Sequence, residues 1–291
     1  MKVKGENKMA LPKNILYPVD FSTRCRAVWP AVAEMARQLG APVTLLHALD
    51  IEHLELVAAS AEMVAIRDHM WEKLERFPTP GLEAMDVCRE LLNGSAAACI
   101  IDRAAGLDAP LIMMPTRGHT RFRQLLLGSV TAAVLHDAVC PVWTEAHTED
   151  KRVPVHGGRS IVCAIDMGPG TPEVLQAALA FSERFSAALH VVHSVPGIDP
   201  RFRSAAADRA HAYLIDRARE DFPGHCQASG VHLPLEIVED VGMVDGIVGA
   251  IAQHRADLLM IGRGVIQGPL GRLRTNAHEL IRRSPCAVLS V

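Results

Sequence analysis

Two aspartates carry the first chemical signal. Asp20 and Asp166 each follow a short apolar run, Ile15-Leu16-Tyr17-Pro18-Val19 and Ile161-Val162-Cys163-Ala164-Ile165. A carboxylate just past a buried strand stands where open α/β sheets take their ligands. Further on, Met114-Pro115-Thr116-Arg117-Gly118 ends another apolar run, and after nine intervening residues Gly128-Ser129-Val130 opens a helical pattern. A glycine turn leading into a helix presents backbone N–H groups beside the positive end of the helix dipole, an arrangement that suits phosphate. Ser129 there is either a hydroxyl donor or a simple cap. The later loop holds Gly262-Arg263-Gly264, glycines 268 and 271, and Arg272 and Arg274 before Thr275. Arginine grips phosphate with a planar fork, although a solvated loop or an arginine–carboxylate pair fits the same residues. The aspartates could equally be turn caps, and the glycines tight-turn residues.

Other chemistries lack their residues. No G-x-x-x-x-G-K-[ST] loop is present, nor an S-G-G-x-D-S loop, and the histidines show no H-E-x-x-H or comparable zinc spacing, so no metal ligand set is assigned. His47 and His193 follow apolar strand residues and read as buried, hydrogen-bonded side chains rather than ligands or bases. Phosphoryl transfer needs metal ligands, a phosphate lysine and a group to place the nucleophile. None of these is visible, so the sequence reads as a binding protein rather than an enzyme.

These residues must be held by a repeated frame. Asn14 to Asp20 matches Ser160 to Asp166, and Val43 to His47 matches Leu189 to His193, at one offset of 146 residues; Gly118 with Gly264, Ser129 with Thr275 and Cys140 with Cys286 share it. Of 291 residues, 49% are hydrophobic and 22% charged, enough to bury two cores. A first domain over 1–146 is expected, with 1–12 flexible, then a Pro/Gly-punctuated linker over 147–159 and a second domain over 160–291. Short apolar runs alternate with helical patterns, which predicts parallel α/β sheets. Strands are expected near 14–19, 42–48, 84–90, 110–115 and 141–145, and in the second half near 160–165, 188–193, 233–239, 257–261 and 286–291. Helices fall near 23–39, 52–77, 95–105 and 129–137. Ser22 and Gly40 bracket the first, and Leu56, Met63, Ile66, Met70 and Leu74 form a stripe on the second.

Composition excludes several classes of partner. Thirty Lys+Arg against 33 Asp+Glu leave a net charge of −3, without a basic nucleic-acid footprint. No apolar run approaches the roughly 20 residues that span a bilayer, and the chain reads as cytoplasmic. Seven cysteines, an odd number without a C-x-x-C, read as buried reduced thiols, with Cys140 and Cys286 packing before the last strands.

Together these motifs resemble the universal stress protein family, here as two family domains in tandem from about residue 13. The resemblance rests on Ile15 to Ser22, on Leu45-Leu46-His47, on the spacing G-x2-G-x9-G-[ST], and on Cys140-Pro141-Val142. It implies Rossmann-like, open five-stranded parallel sheets of order 3-2-1-4-5 flanked by helices. It also implies an adenine nucleotide, ATP with Mg2+ beside it, bound in at least one half. Carried over, the site residues are Pro18, Asp20, Ala48, Gly118, Gly128, Ser129 and Val130 in the first half, and Asp166, Ser194, Gly262, Gly264 and Thr275 in the second. Pro115 departs from the signature's first glycine, and the second-half loop is one residue short, with Arg274 at the later glycine. The intact Gly128-Ser129 pair favours the first half. The implied function is a stress sensor or regulator with an unidentified protein partner. The alternatives are a scaffold whose degraded loops bind no nucleotide and, less favoured, a slow ATPase. The resemblance further implies that Val142–Glu145 and Ala287–Val291 pair the halves within the chain, and it allows a further dimer.

Overall fold

The computed structural model describes residues 11–50, 61–116, 127–145, 159–263 and 275–291. Two compact units divide at Val153 and Pro154. The first runs β1 (Asn14–Pro18), α1 (Thr23–Leu39), β2 (Val43–Leu49), α2 (Ala61–Glu75), β3 (Val87–Asn93), α3 (Ala96–Ala105), β4 (Pro110–Pro115), α4 (Ser129–Asp137) and β5 (Val142–Glu145). The second runs β6 (Ser160–Ala164), α5 (Thr171–Phe185), β7 (Ala188–Pro196), α6 (Ala205–Ser229), β8 (Leu235–Asp240), α7 (Met243–Gln253), β9 (Leu258–Ile261), α8 (Thr275–Arg283) and β10 (Ala287–Ser290).

Every pairing within a unit is parallel. In the first, β1 lies between β2 and β4, with β3 outside β2 and β5 outside β4. In the second, β6 lies between β7 and β9, with β8 and β10 outside them. The expected α/β class with parallel sheets flanked by helices holds. Central strands are buried along consecutive residues, Ile15-Leu16-Tyr17 and Leu111-Ile112-Met113 among them, because helices cover both faces.

Local chemistry sets the first helix. The Ser22 hydroxyl accepts from the Cys25 N–H at 3.0 Å, and Gly40 closes the helix at φ 65°, as expected of a cap and a stop. Three expectations need correction. The third strand forms at Val87–Asn93 rather than 84–90, because Met85 N–H turns back to the Leu82 carbonyl and pairing with β2 begins at Val43–Val87. On α2 the stripe is narrower than expected: Met63 and Leu74 are buried but Ile66 is 44% exposed. At 100° per residue Ile66 sits about 60° off the Met63 line and Leu74 only about 20°, so the sheet reaches one and not the other. Leu56, residues 1–10 of the segment expected to be flexible and the linker as far as Gly158 lie outside the described residues. None of the seven cysteines is in a disulfide. Five are buried, but Cys88 is exposed and Cys286 half-buried, so burial holds for most rather than all. Among the described residues no helix is long and apolar enough to cross a membrane.

An aromatic cluster fastens α1 to β1. Tyr17 is fully buried, its hydroxyl donates to the Cys25 carbonyl, and its ring meets Trp29 edge-on at 5.9 Å and Phe77 at 6.4 Å. Trp29 in turn packs on Phe77 at 5.9 Å and donates its indole N–H to Pro80. Burial pushes the Tyr17 phenol far above its ordinary pKa, so it stays a neutral donor. Phe77→Ala should therefore cost about 3–5 kcal/mol and Tyr17→Phe about 0.5–1.5 kcal/mol, read from urea unfolding followed by Trp29 fluorescence. Equal costs would show that the hydroxyl, not the ring stack, anchors the helix.

Candidate functional site

At the carboxyl end of β1 the chain makes a strained turn. Asp20 Oδ1 accepts the Ser22 N–H at 2.9 Å, and between them Phe21 sits at φ 62°. The second half repeats the device: Asp166 Oδ1 accepts the Gly168 N–H at 2.8 Å around Met167 at φ 56°. A bulky side chain in the left-handed region costs of order 1–3 kcal/mol and persists only where its surroundings impose it. One such outlier could be accidental. The same outlier 146 residues later, after the same aspartate, marks a built feature of both strand ends.

Histidines hold these ends. His47 on β2 donates its Nδ1 proton to the Val19 carbonyl at 2.6 Å, and His193 on β7 donates to Ile165 at 2.9 Å. A carbonyl only accepts, so Nδ1 carries the proton in each. The expected structural role of both histidines follows from these bonds. In the first half the Phe21 ring lies 4.6 Å from the His47 ring, and Lys73 of α2 stands 5.7 Å from the Phe21 ring centre.

The ends of β1 and β4 then differ between the halves. The ladder between β1 and β4 stops at Leu16–Ile112, although the strands continue to Pro18 and Pro115. Pro18 and Pro115 both lack an N–H, so two ladder donors are missing where the strands would otherwise continue to pair. In the second half β6 and β9 stay paired to Ala164–Ile261. Their register also shows which loop residues correspond. Ile15 pairs with Leu111 but Ile161 pairs with Leu258, an offset of 147, which sets Gly262 opposite Pro115 in the comparison and Arg263 opposite Thr116. Matching hydrogen bonds agree: Thr116 Oγ1 donates to the Glu145 carbonyl, and Arg263 N–H donates to Val291. A Cβ at Gly262 would lie 3.1 Å from Val174 of α5, so the glycine also makes room for that helix.

Several expected site residues gather at these strand ends. Pro18 ends β1 and Asp20 follows it, Ala48 is half-buried near the end of β2, and Gly128 caps α4 while its N–H binds the Thr116 carbonyl at 3.0 Å. Ser129 is therefore the first helical residue, exposed, and not the cap. Val130 is half-buried behind it. Asp166 and Gly262 occupy the corresponding ends in the second half. Ser194 is buried on β7 with its hydroxyl unpartnered, and a Cβ at Gly246 of α7 would lie 2.9 Å from that hydroxyl. Gly118, Gly264, Arg272 and Arg274 lie outside the described residues, and of Thr275 only its place at the start of α8 is described. Sequence reasoning missed Thr171, buried at the first turn of α5 in the Asp166 loop with its hydroxyl unpartnered. No spacing rule would have found it.

A sequence profile of the universal stress protein family matches residues 12–144 and again residues 158–291. The chain belongs to that family. A universal stress protein of Methanocaldococcus jannaschii is 29% identical over 143 residues, 47% of this chain and 82% of the relative. One of Thermus aquaticus is 32% identical over 136 residues, 45% of this chain and 96% of the relative. The crystal structure of a universal stress protein from Archaeoglobus fulgidus covers 95% of both chains with a TM-score of 0.63 at 22% identity, a likeness of fold. This chain is thus a tandem universal stress protein with two family domains.

Burial lowers the His47 pKa below 6.5 and the Lys73 charge adds to the effect, while the Val19 bond and Asp20 oppose it. The native state therefore takes up a proton less readily than the unfolded chain. The stability carried by neutral His47 is complete above about pH 6.5 and is lost as pH falls below that value toward the native pKa. His47→Gln, whose amide can still donate to Val19, should flatten the fall in urea midpoint between pH 7 and pH 5.5. An unchanged slope would remove His47 as its source.

Proposed function

We propose that this family member binds an adenine nucleotide at the strand ends of at least one half and acts as a stress sensor or regulator. The observation that carries the reading is the repeated aspartate turn with its strained residue, Phe21 or Met167, at the crevice where α/β sheets bind ligands. In the family resemblance that aspartate holds the nucleoside and the glycine loop cradles the phosphates, ATP with Mg2+ being the implied ligand. The donors fit in part. Gly128 opens α4 with its dipole end free of any side-chain cap, and the Thr171 hydroxyl lies unpartnered beside the Asp166 turn.

The halves are unequal on this reading. Pro18 and Pro115 deprive the first half of two amides, whereas Gly262 keeps the signature glycine in register in the second. This support outweighs the Gly128-Ser129 pair and moves the preference to the second half. The reading includes a soluble, cytoplasmic chain.

Calorimetry with ATP and Mg2+ tests the proposal. Asp166→Ala should weaken binding by at least about 10-fold, the scale of a lost charge-assisted hydrogen bond, and Asp20→Ala by less than about 2-fold. Pro115→Gly should tighten the first-half site by about 2- to 13-fold, the worth of one neutral donor. If neither the parent nor Pro115→Gly binds at millimolar ATP, the scaffold reading replaces this one.

A further inference from the structure

Far from the strand ends just described, three side chains with metal-ligating atoms meet. His190 on β7, Glu236 on β8 and His254 at the end of α7 bring one ligand atom each to within 4.8 Å of one another. Their positions in the chain hide this. Glu236 pairs with Val192, so His190, two residues earlier on β7, shares its face of the sheet. Helix α7 then crosses that face and delivers His254 to the beginning of the strands, opposite the end that carries Asp166. The imidazoles stack with centroids 3.7 Å apart at 19°, and His254 Nε2 lies 2.7 Å from Glu236 Oε2. Gln253 donates to the other carboxylate oxygen at 3.3 Å.

We infer that His190, Glu236 and His254 form a binding site for a divalent transition metal, zinc being the best match. Two imidazoles and a carboxylate are a zinc donor set, and a fourth position remains for water. Bonds of about 2.0–2.2 Å place ligand atoms about 3.4 Å apart, close to the present spacing, but rings stacked at 19° aim their in-plane lone pairs side by side, so one imidazole must turn out of the stack for both to meet a metal. Half-buried side chains leave the group reachable from solvent.

The first half supplies an internal comparison. There Glu90 pairs with Leu46 as Glu236 pairs with Val192, but Thr44 stands at the place of His190. Arg103 of α3 grips Glu90 through two hydrogen bonds, Nε to Oε2 at 2.6 Å and Nη2 to Oε1 at 2.8 Å. Helix α7 has no arginine, and the same carboxylate meets two imidazoles instead.

The full chain, stripped with a chelator and dialysed, is titrated with zinc chloride by calorimetry and with Co2+ by visible absorption. The expected result is one tight equivalent with a Co2+ band of a four-coordinate site. His190→Thr, which installs the residue the first half tolerates, should weaken that equivalent at least 10-fold, as should His254→Ala, while exposed His69→Ala leaves it unchanged. Thermal melts without metal verify that each variant folds. Zinc should raise the melting temperature of the parent and not of His190→Thr. Equal zinc binding by the parent and a folded His190→Thr, or no tight equivalent in the parent, overturns the site. Neither result bears on nucleotide binding, which the Asp166 arm reads separately.

Discussion

A hydrogen bond between neighbouring strands sets the geometry on which the candidate crevice depends. The imidazole of His47, on the second strand, reaches across to the last carbonyl of the first and fixes the residue before Asp20; His193 does the same before Asp166. The carbonyl sits where ladder pairing runs out, so without that donor a buried acceptor would stand alone, at a cost of about 1–3 kcal/mol. With it, the chain is aimed into a turn tight enough to force Phe21 and Met167 into the left-handed region. Ordering at this point is imposed from outside the turn, which is how a strained conformation persists.

The second constraint is negative. Proline cannot donate, and the first half places one proline at the end of β1 and another at the end of β4. Those are neighbouring strands, so the missing amides open the sheet between them, while Ala164 and Ile261 stay paired in the second half. The same fold thus presents two unlike crevices. Divergence between the repeats is written in backbone donors: the motif comparison marks Pro115, and the strand register adds Pro18 beside it.

Much of the frame was legible because it rests on local rules. Ser22 and Gly40 announce a cap and a stop, and buried apolar runs announce parallel strands. What stayed hidden depends on contacts that no spacing records. The third strand slid by three residues because pairing with β2, not apolarity, chose Val87–Asn93, a segment that includes Arg89 and Glu90. Ile66 fell outside the α2 contact because a stripe has a width the sequence does not state. The aspartates were visible as residues, but the positive φ that follows each is a property of the turn. The missing residue in the second-half loop was visible, but the sheet register, Ile15–Leu111 against Ile161–Leu258, is what puts the shift before β9 and makes Gly262 the counterpart of Pro115.

At the other end of the sheets, Glu90 and Glu236 show how one repeated residue acquires two environments. In the first half a guanidinium closes the charge: Arg103 gives the carboxylate a planar fork and ties β3 to α3 by protein groups alone. In the second half the carboxylate faces two stacked rings that are neutral unless they take up protons. Protonating both would set two like charges face to face at the stacking distance. One proton or one cation is what such a group accepts most readily. Arg103 supplies a permanent positive charge in one half; in the other, Gln253 and His254 meet the carboxylate and leave that place to a proton or to the cation proposed above.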